Sequence, residues 1–136
     1  MLKLATVLFL SSIILANGCA STLPDESFES PVGDWAVKID GPNILITAKM
    51  VILDETRATY RYRRPGRIIF VSASKEGTWE GYWVEDSGPY KCSEKKDGGE
   101  TWGALIFRFN ETYTSFKGEY RTCGEGKSYS WNGTRT

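Results

Sequence analysis

The sequence predicts an all-β domain, an antiparallel up-and-down meander of about eight strands that forms either a curved sheet or a closed barrel. Short runs rich in Val, Ile, Tyr, Trp, Phe and Thr are broken about every ten residues by Gly, Pro, Asp or Asn, a pattern typical of successive hairpins. Few stretches space their apolar residues at the helical period. Closure into a barrel would remove exposed sheet edges, but the pattern alone does not select it.

The strand positions follow from alternation and from turn residues. The clearest alternation begins at Arg57, after which Ala58, Tyr60 and Tyr62 fall on one face. Pro and Gly at 65–66 then suit the second and third positions of a tight turn. The predicted strands cover residues 35–39, 44–53, 57–63, 67–74, 78–85, 102–109, 115–122 and 129–134, with a short helical turn as an alternative within the second of these.

Glycine recurs two places from an aromatic residue in several predicted strands, for example in the runs at 116–120 and 131–135. Residues at this spacing share one face of a strand, so a large ring can lie over the space left by its neighbour's missing side chain. We interpret the recurrence as a packing pattern and not as a duplicated site.

The first 18 residues have the features of an export signal. Lys3 supplies a short positive region, and residues 4–16 are almost entirely apolar. This run is shorter than the stretch of about 20 residues that spans a bilayer. We therefore expect a cleaved signal at 1–18, a flexible tether at 19–32 and one domain at 33–136.

Cys19 ends a run that resembles the lipobox of bacterial lipoproteins. Gly18 fits that pattern, whereas Asn17 is unusual and Leu15 lies one place too early. The resemblance implies that Cys19 carries acyl chains such as palmitate, which give membrane affinity at about 0.8 kcal/mol per buried methylene. It also implies, from Ala20 after the cysteine, sorting to the outer membrane. The alternative is ordinary cleavage near Ala20 and a secreted or periplasmic product.

Cys92 and Cys123 are the two remaining cysteines, and a disulfide between them is expected in an exported chain. Chain-entropy reasoning makes such a bridge worth about 3.5 kcal/mol. Residues 86–100 are polar and Gly-rich, so we predict a loop that lets Cys92 reach the end of a later strand. A metal site lacks ligands, because the chain has no histidine and neither of these cysteines has another cysteine close to it in the sequence.

Arginine is concentrated in one part of the chain, although the formal net charge is zero and does not suggest nucleic acid as a partner. Guanidinium groups suit phosphate or carboxylate groups, so these arginines form a candidate anion-binding face. The alternative is a solvated strand face balanced by glutamates on neighbouring strands. The residues are Arg57, Arg61, Arg63, Arg64 and Arg67.

The five tryptophans and seven tyrosines are expected mainly in the core, with Trp79 and Trp83 buried. Tyr82 and Tyr90, near the long loop, are expected to be exposed contact residues. Catalysis and cofactor binding have little support. Without histidine, Ser-His and Cys-His machinery and the common zinc sites are excluded, and spacing selects no carboxylate pair.

Residues 66–135 resemble the Gly/Trp-rich β-meander domains of small exported bacterial proteins, a resemblance that transfers no active residues. We expect a non-enzymatic binding or structural domain of the cell envelope, held at the membrane through Cys19, with an envelope protein as candidate partner. Its expected contact region is the loop at 86–101 with the disulfide end. One alternative is a periplasmic inhibitor that inserts this loop into a wall-degrading enzyme or toxin. Another is a carbohydrate-binding domain that uses exposed aromatic side chains.

Overall fold

The structure of the protein is a computed structural model, which describes residues 26–136. The expected signal and Cys19 lie outside these residues. No helix in the described part of the chain has the length and hydropathy to cross a membrane. Eight antiparallel strands follow one another around a closed barrel, so the predicted all-β meander is confirmed. The strands are β1 (Gly33–Gly41), β2 (Ile44–Asp54), β3 (Arg57–Arg61), β4 (Pro65–Ala73), β5 (Thr78–Glu85), β6 (Thr101–Phe109), β7 (Ser115–Thr122) and β8 (Glu125–Arg135).

Closure of the barrel is decided by a ladder between the first and last strands. It runs from the pair Trp35–Arg135 to the pair Ile39–Trp131. β2 is continuous, so the alternative helical turn is wrong. β8 begins earlier than predicted because Cys123 and Gly124 make a two-residue turn with positive φ at both positions (58° and 72°), the geometry that joins tightly paired strands.

The connections lie at two ends of the barrel, which we call the base and the mouth. The base has the connections at residues 55–56, 74–77 and 110–114, together with the N-terminal segment and the C-terminus. The mouth has the connections at residues 42–43, 62–64, 86–100 and 123–124.

Aromatic rings fill the interior toward the base. Phe107 is fully buried, with ring centres of Phe116 and Trp131 at 4.3 and 5.7 Å. Trp35 packs its ring 5.3 Å from that of Phe116. Trp79 and Trp83 are buried as predicted. An eight-stranded barrel is just wide enough inside for side chains to fill it, and here large buried rings pack against one another in its interior.

Glycines opposite these rings provide the space that they need. A Cβ atom placed on Gly133 would lie 2.1 Å from Cε1 of Phe116, its partner across the β7–β8 ladder. The predicted association of glycine with aromatic residues is therefore present, but the ring lies over a glycine on the neighbouring strand. Five successive ladders contain such a pair: Tyr60–Gly66, Phe70–Gly81, Trp83–Gly103, Phe107–Gly118 and Phe116–Gly133.

The N-terminal segment packs against the base. The backbone N–H of Phe28 donates to the carbonyl of Thr112 at 3.0 Å, and Pro31 is buried. The Arg135 guanidinium lies 4.0 Å from the centre of the Phe28 ring and donates to the Ser30 carbonyl at 3.0 Å. The expected tether of residues 19–32 is therefore fixed to the barrel over its last residues.

Replacing Gly133 by alanine should destabilise the barrel by about 1–3 kcal/mol, because the added methyl group would overlap the Phe116 ring. If the ring is the cause, the same substitution should cost less in a chain that also carries Phe116→Leu, with a coupling free energy of about 1 kcal/mol. Urea unfolding of the two single variants and the double variant measures this coupling.

The adjacent exposed residue Thr134 provides the control, since Thr134→Ala adds nothing to the interior. If Gly133→Ala lowers the free energy of unfolding equally with and without the Phe116→Leu substitution, the Phe116 ring is not the reason that glycine is required.

Candidate functional site

A cavity of about 800 Å³ opens at the mouth of the barrel, within the range of about 300–1,000 Å³ typical of small-molecule sites. Its lining is mostly apolar and aromatic. Tyr60, Trp83 and Trp131 are the buried rings that line it, and Ile39 and Ile46 contribute aliphatic surface.

The cavity exists because the size of the inward-facing side chains decreases along the strands from the base to the mouth. Toward the base they are mostly large rings, whereas the inward positions nearest the mouth include Gly41, Thr101 and Thr122. These residues are too small to meet across the barrel. The interior is therefore packed in one half and open in the other.

Glu85 ends β5 and faces this cavity, with only 5 % of its surface exposed. The hydroxyls of Tyr60 and Tyr62 each donate to its Oε1 at 2.9 Å, and that of Tyr62 also lies 3.2 Å from Oε2. No lysine or arginine of residues 26–136 forms an ion pair with Glu85. The carboxylate is thus held by two neutral donors.

The cavity tyrosines have raised pKa values. Burial is the main cause at Tyr62, followed by the charge of Glu85, and together they raise its pKa to about 12. The same two causes raise the pKa of Tyr60 well above its usual range. Burial, followed by the proximity of Tyr129 and Asp40, raises the pKa of Tyr120 to about 12. These hydroxyls therefore remain protonated donors near neutral pH.

Two buried polar atoms on the cavity's lining residues have no hydrogen-bond partner within the described chain. They are Oγ1 of Thr101 and Nε1 of Trp131. Thr101 lies directly opposite Glu85 in the β5–β6 ladder, so its side chain shares the inner face with that carboxylate. Buried polar groups are normally satisfied, but both atoms are shielded from solvent although their residues line the cavity.

The rim of the cavity combines exposed apolar and basic side chains. Ile44, Leu45 and Tyr90 are 53, 59 and 62 % exposed, and all three line the opening. The basic members of the lining are Arg63, Arg64 and Lys127.

The disulfide between Cys92 and Cys123 is present, with Cα atoms 5.3 Å apart, as predicted. Cys92 lies in the long loop, and its N–H donates to the Glu100 carbonyl at 2.7 Å. The N–H of Cys123 donates to the Trp102 carbonyl at the same distance. The bridge therefore fixes the loop at 86–100 to the β7–β8 turn, on one side of the mouth.

Much of this loop lies on the outer surface of the barrel. Arg67 forms ion pairs with Asp86 at 2.8 Å and Asp97 at 3.0 Å. Lys96 places its Nζ 4.5 Å from the centre of the Tyr82 ring. Tyr82 is consequently half-buried, so the prediction of exposure is correct for Tyr90 and wrong for Tyr82.

The structure does not bring the five predicted arginines together. Arg57 pairs with Asp54 at the base, at 3.3 Å, and Arg67 is engaged by the loop. Arg61 is exposed, and Arg63 and Arg64 reach the mouth. A strand rises about 3.3 Å per residue, so Arg57 at the base is too far from Arg63 and Arg64 at the mouth to share one anion with them.

Glu85 is a site residue that the sequence analysis does not predict, since the spacing of the acidic residues selects none of them. A signal was available. Trp79, Gly81, Trp83 and Glu85 alternate along β5, so the face predicted to be buried carries a carboxylate at its end.

Within residues 26–136, no cluster of three or more acidic or cysteine side chains could hold a metal ion. Comparisons with protein-family models, with curated proteins and with solved structures found no match. Glu85 is the sole carboxylate among the described residues that line the cavity, together with tyrosine hydroxyls and indole rings. These groups can bind and orient a ligand, with the Glu85 carboxylate as hydrogen-bond acceptor and the aromatic rings as an apolar surface.

Removing the disulfide in the double variant Cys92→Ser, Cys123→Ser should lower the free energy of unfolding by about 3.5 kcal/mol, because the unfolded chain regains the entropy of an open loop. Urea unfolding with far-ultraviolet detection measures the change. The wild-type protein under reducing conditions should lose a similar amount. An unchanged midpoint would show that the bridge does not constrain the unfolded chain.

Glu85→Gln should lower the pKa of Tyr62 from about 12 part of the way to the ordinary 10.0, because burial remains after the charge is removed. The folded state holds the Tyr62 proton more tightly than the unfolded state, so stability should fall as pH rises from 10.0 to about 12. Tyrosinate absorbance, compared with that of Tyr62→Phe, measures the titration.

The matched control is Glu80→Gln, which removes the same charge from an exposed position of the same strand and should leave the Tyr62 titration unchanged. Identical titrations of Tyr62 in the wild type and in Glu85→Gln would contradict the coupling.

Proposed function

We propose that this domain binds a small, partly apolar ligand in the mouth cavity and carries out no chemistry on it. The observation that supports this most directly is the open, aromatic-lined volume of about 800 Å³ in a barrel whose other half is filled. Eight-stranded barrels have interiors of the size that holds one small ligand. The lining is mainly apolar with a few polar groups, as in small-molecule sites generally.

Binding is favoured over catalysis by the groups that line the cavity. A glycosidase of the usual kind needs two carboxyl groups at a defined separation, and Glu85 has no second carboxylate beside it among the described lining residues. Its two oxygens are engaged by tyrosine hydroxyls, an arrangement that fixes an acceptor in one orientation.

We further propose that the domain is a lipoprotein of the cell envelope, held at the outer membrane through Cys19. The described chain enters at the base, where Phe28 and Pro31 pack. An anchor that precedes this segment would place the base toward the membrane and the mouth away from it. The cavity would then face the periplasm or the exterior. Without lipidation, the product would be secreted or periplasmic.

A second candidate function is binding of a partner protein at the rim, which includes the proposed periplasmic inhibitor. It is favoured by the exposed side chains of Ile44, Leu45 and Tyr90, since aromatic and aliphatic anchors are typical of interface centres. From the loop at 86–100, the exposed Tyr90 would contact the partner. Lys96 and Asp97 of the same loop instead contact the outer surface of the barrel. A sugar-binding row of tryptophans is not supported, since no tryptophan of residues 26–136 is exposed.

The uncharged fluorophore N-phenyl-1-naphthylamine tests the proposed function. Its fluorescence should rise and saturate at one molecule per barrel when it enters the cavity. Ile46→Trp, which places a larger ring in the lining, should weaken this binding by about tenfold or more, because it occupies the same space.

Leu53→Trp adds the same ring at an exposed position of the same strand and serves as the matched control. It should bind the fluorophore as the wild type does. Absent binding, or equal weakening by both substitutions, would refute a ligand site in the cavity.

A further inference from the structure

We propose that the ligand of the mouth cavity is an organic monoamine whose protonated ammonium group contacts the Glu85 carboxylate among the cavity's aromatic rings. This inference rests on the proposed function and specifies the chemical class of the ligand. It follows from the charge of the lining, from the rings around that charge and from the basic residues at the rim.

The first observation is a nearly buried carboxylate without a cation. Glu85 is 5 % exposed, and the groups that donate to it are the hydroxyls of Tyr60 and Tyr62. Withdrawing a charge from water is unfavourable unless the charge is paired. No such pair exists within residues 26–136, yet the residue faces a cavity large enough for a ligand. An ammonium group entering the cavity would supply the missing charge.

The second observation is the aromatic surface around the carboxylate. The rings of Tyr60 and Tyr62 are parallel within 2° and 6.3 Å apart, and Trp83, Tyr120 and Trp131 add rings to the lining from other strands. Cations are attracted to the faces of such rings, and most strongly where water is excluded. A neutral alcohol of the same shape would gain neither this attraction nor the charged contact with Glu85.

The third observation is the hydroxyl of Thr101, which has no partner in the described chain. Thr101 is the residue opposite Glu85 in the β5–β6 ladder, so both side chains are on the inner face at the same level. A primary ammonium has three N–H donors. Glu85 faces the cavity and can accept one of them directly, whereas the Thr101 hydroxyl is shielded from solvent and can accept another only after a rotation of its side chain.

The rim restricts the ligand to one positive charge. Arg63, Arg64 and Lys127 line the opening and would repel a second ammonium at the outer end of the molecule. An apolar, neutral or anionic outer end would meet no such repulsion. The geometry therefore favours a monoamine over a diamine of equal length.

The test uses three six-carbon probes that differ in charge: hexylamine, hexanol and hexamethylenediamine. Displacement of N-phenyl-1-naphthylamine at neutral pH and low salt gives their relative affinities. Hexylamine should bind about tenfold or more tightly than hexanol, the difference expected for one charge-assisted contact. It should also bind more tightly than the diamine.

Glu85→Gln should remove the preference for hexylamine over hexanol while N-phenyl-1-naphthylamine still binds, which shows that the cavity is intact. Glu80→Gln, on the outer face of the same strand, should keep the preference.

Two failures can be told apart. If the fluorophore does not enter the wild-type cavity, the proposed function itself is wrong. If it enters and hexylamine shows no advantage over hexanol, or keeps its advantage in Glu85→Gln, the amine inference alone is overturned.

Discussion

The barrel depends on one packing constraint, the placement of a glycine opposite an inward-facing aromatic ring in five successive ladders. An interior of this width cannot hold large side chains at every inward position. A glycine on one strand has no side chain, so the aromatic ring of its partner on the neighbouring strand can extend over it into the interior. At Gly103 the approach is so close that an added Cβ would lie 1.6 Å from the Arg121 carbonyl oxygen and 2.7 Å from the Trp83 indole nitrogen, which donates to that oxygen.

The same constraint positions the cavity. The rings interlock toward the base, where Phe107 and Phe116 are 4.3 Å apart, and small inward side chains such as Thr101 and Thr122 follow at the mouth. Glu85 lies in the mouth region, directly opposite Thr101 in the β5–β6 ladder. Two tyrosine hydroxyls donate to its carboxylate, and those tyrosines lie on β3 and just after it, in a different part of the sequence.

The mouth is held by contacts that bypass the sheet. The β6–β7 ladder stops at the pair Leu105–Tyr120, and beyond it the two strands are joined through Cys123 and Trp102. The disulfide adds the loop at 86–100 to this junction, and Arg67 holds two of the loop's acidic residues, Asp86 and Asp97, on the outer face. The rim residue Tyr90 is therefore presented by a segment fixed on both sides.

The sequence by itself determined most of the strands, the long loop and the cysteine pair, because alternation and turn residues act locally. The turn predicted at Pro65 and Gly66 is wrong, since both residues belong to β4 and Gly66 pairs with Tyr60. The sequence also determined that Trp79 and Trp83 are buried. Only the tertiary structure decided barrel closure. Closure requires the first strand, β1, to pair with the last strand, β8, as in the pair Trp35–Arg135. The tertiary structure alone brought Tyr60 to Glu85 and separated Arg57 from Arg63, since a local pattern shows which face a residue occupies and not which distant residue lies across the interior.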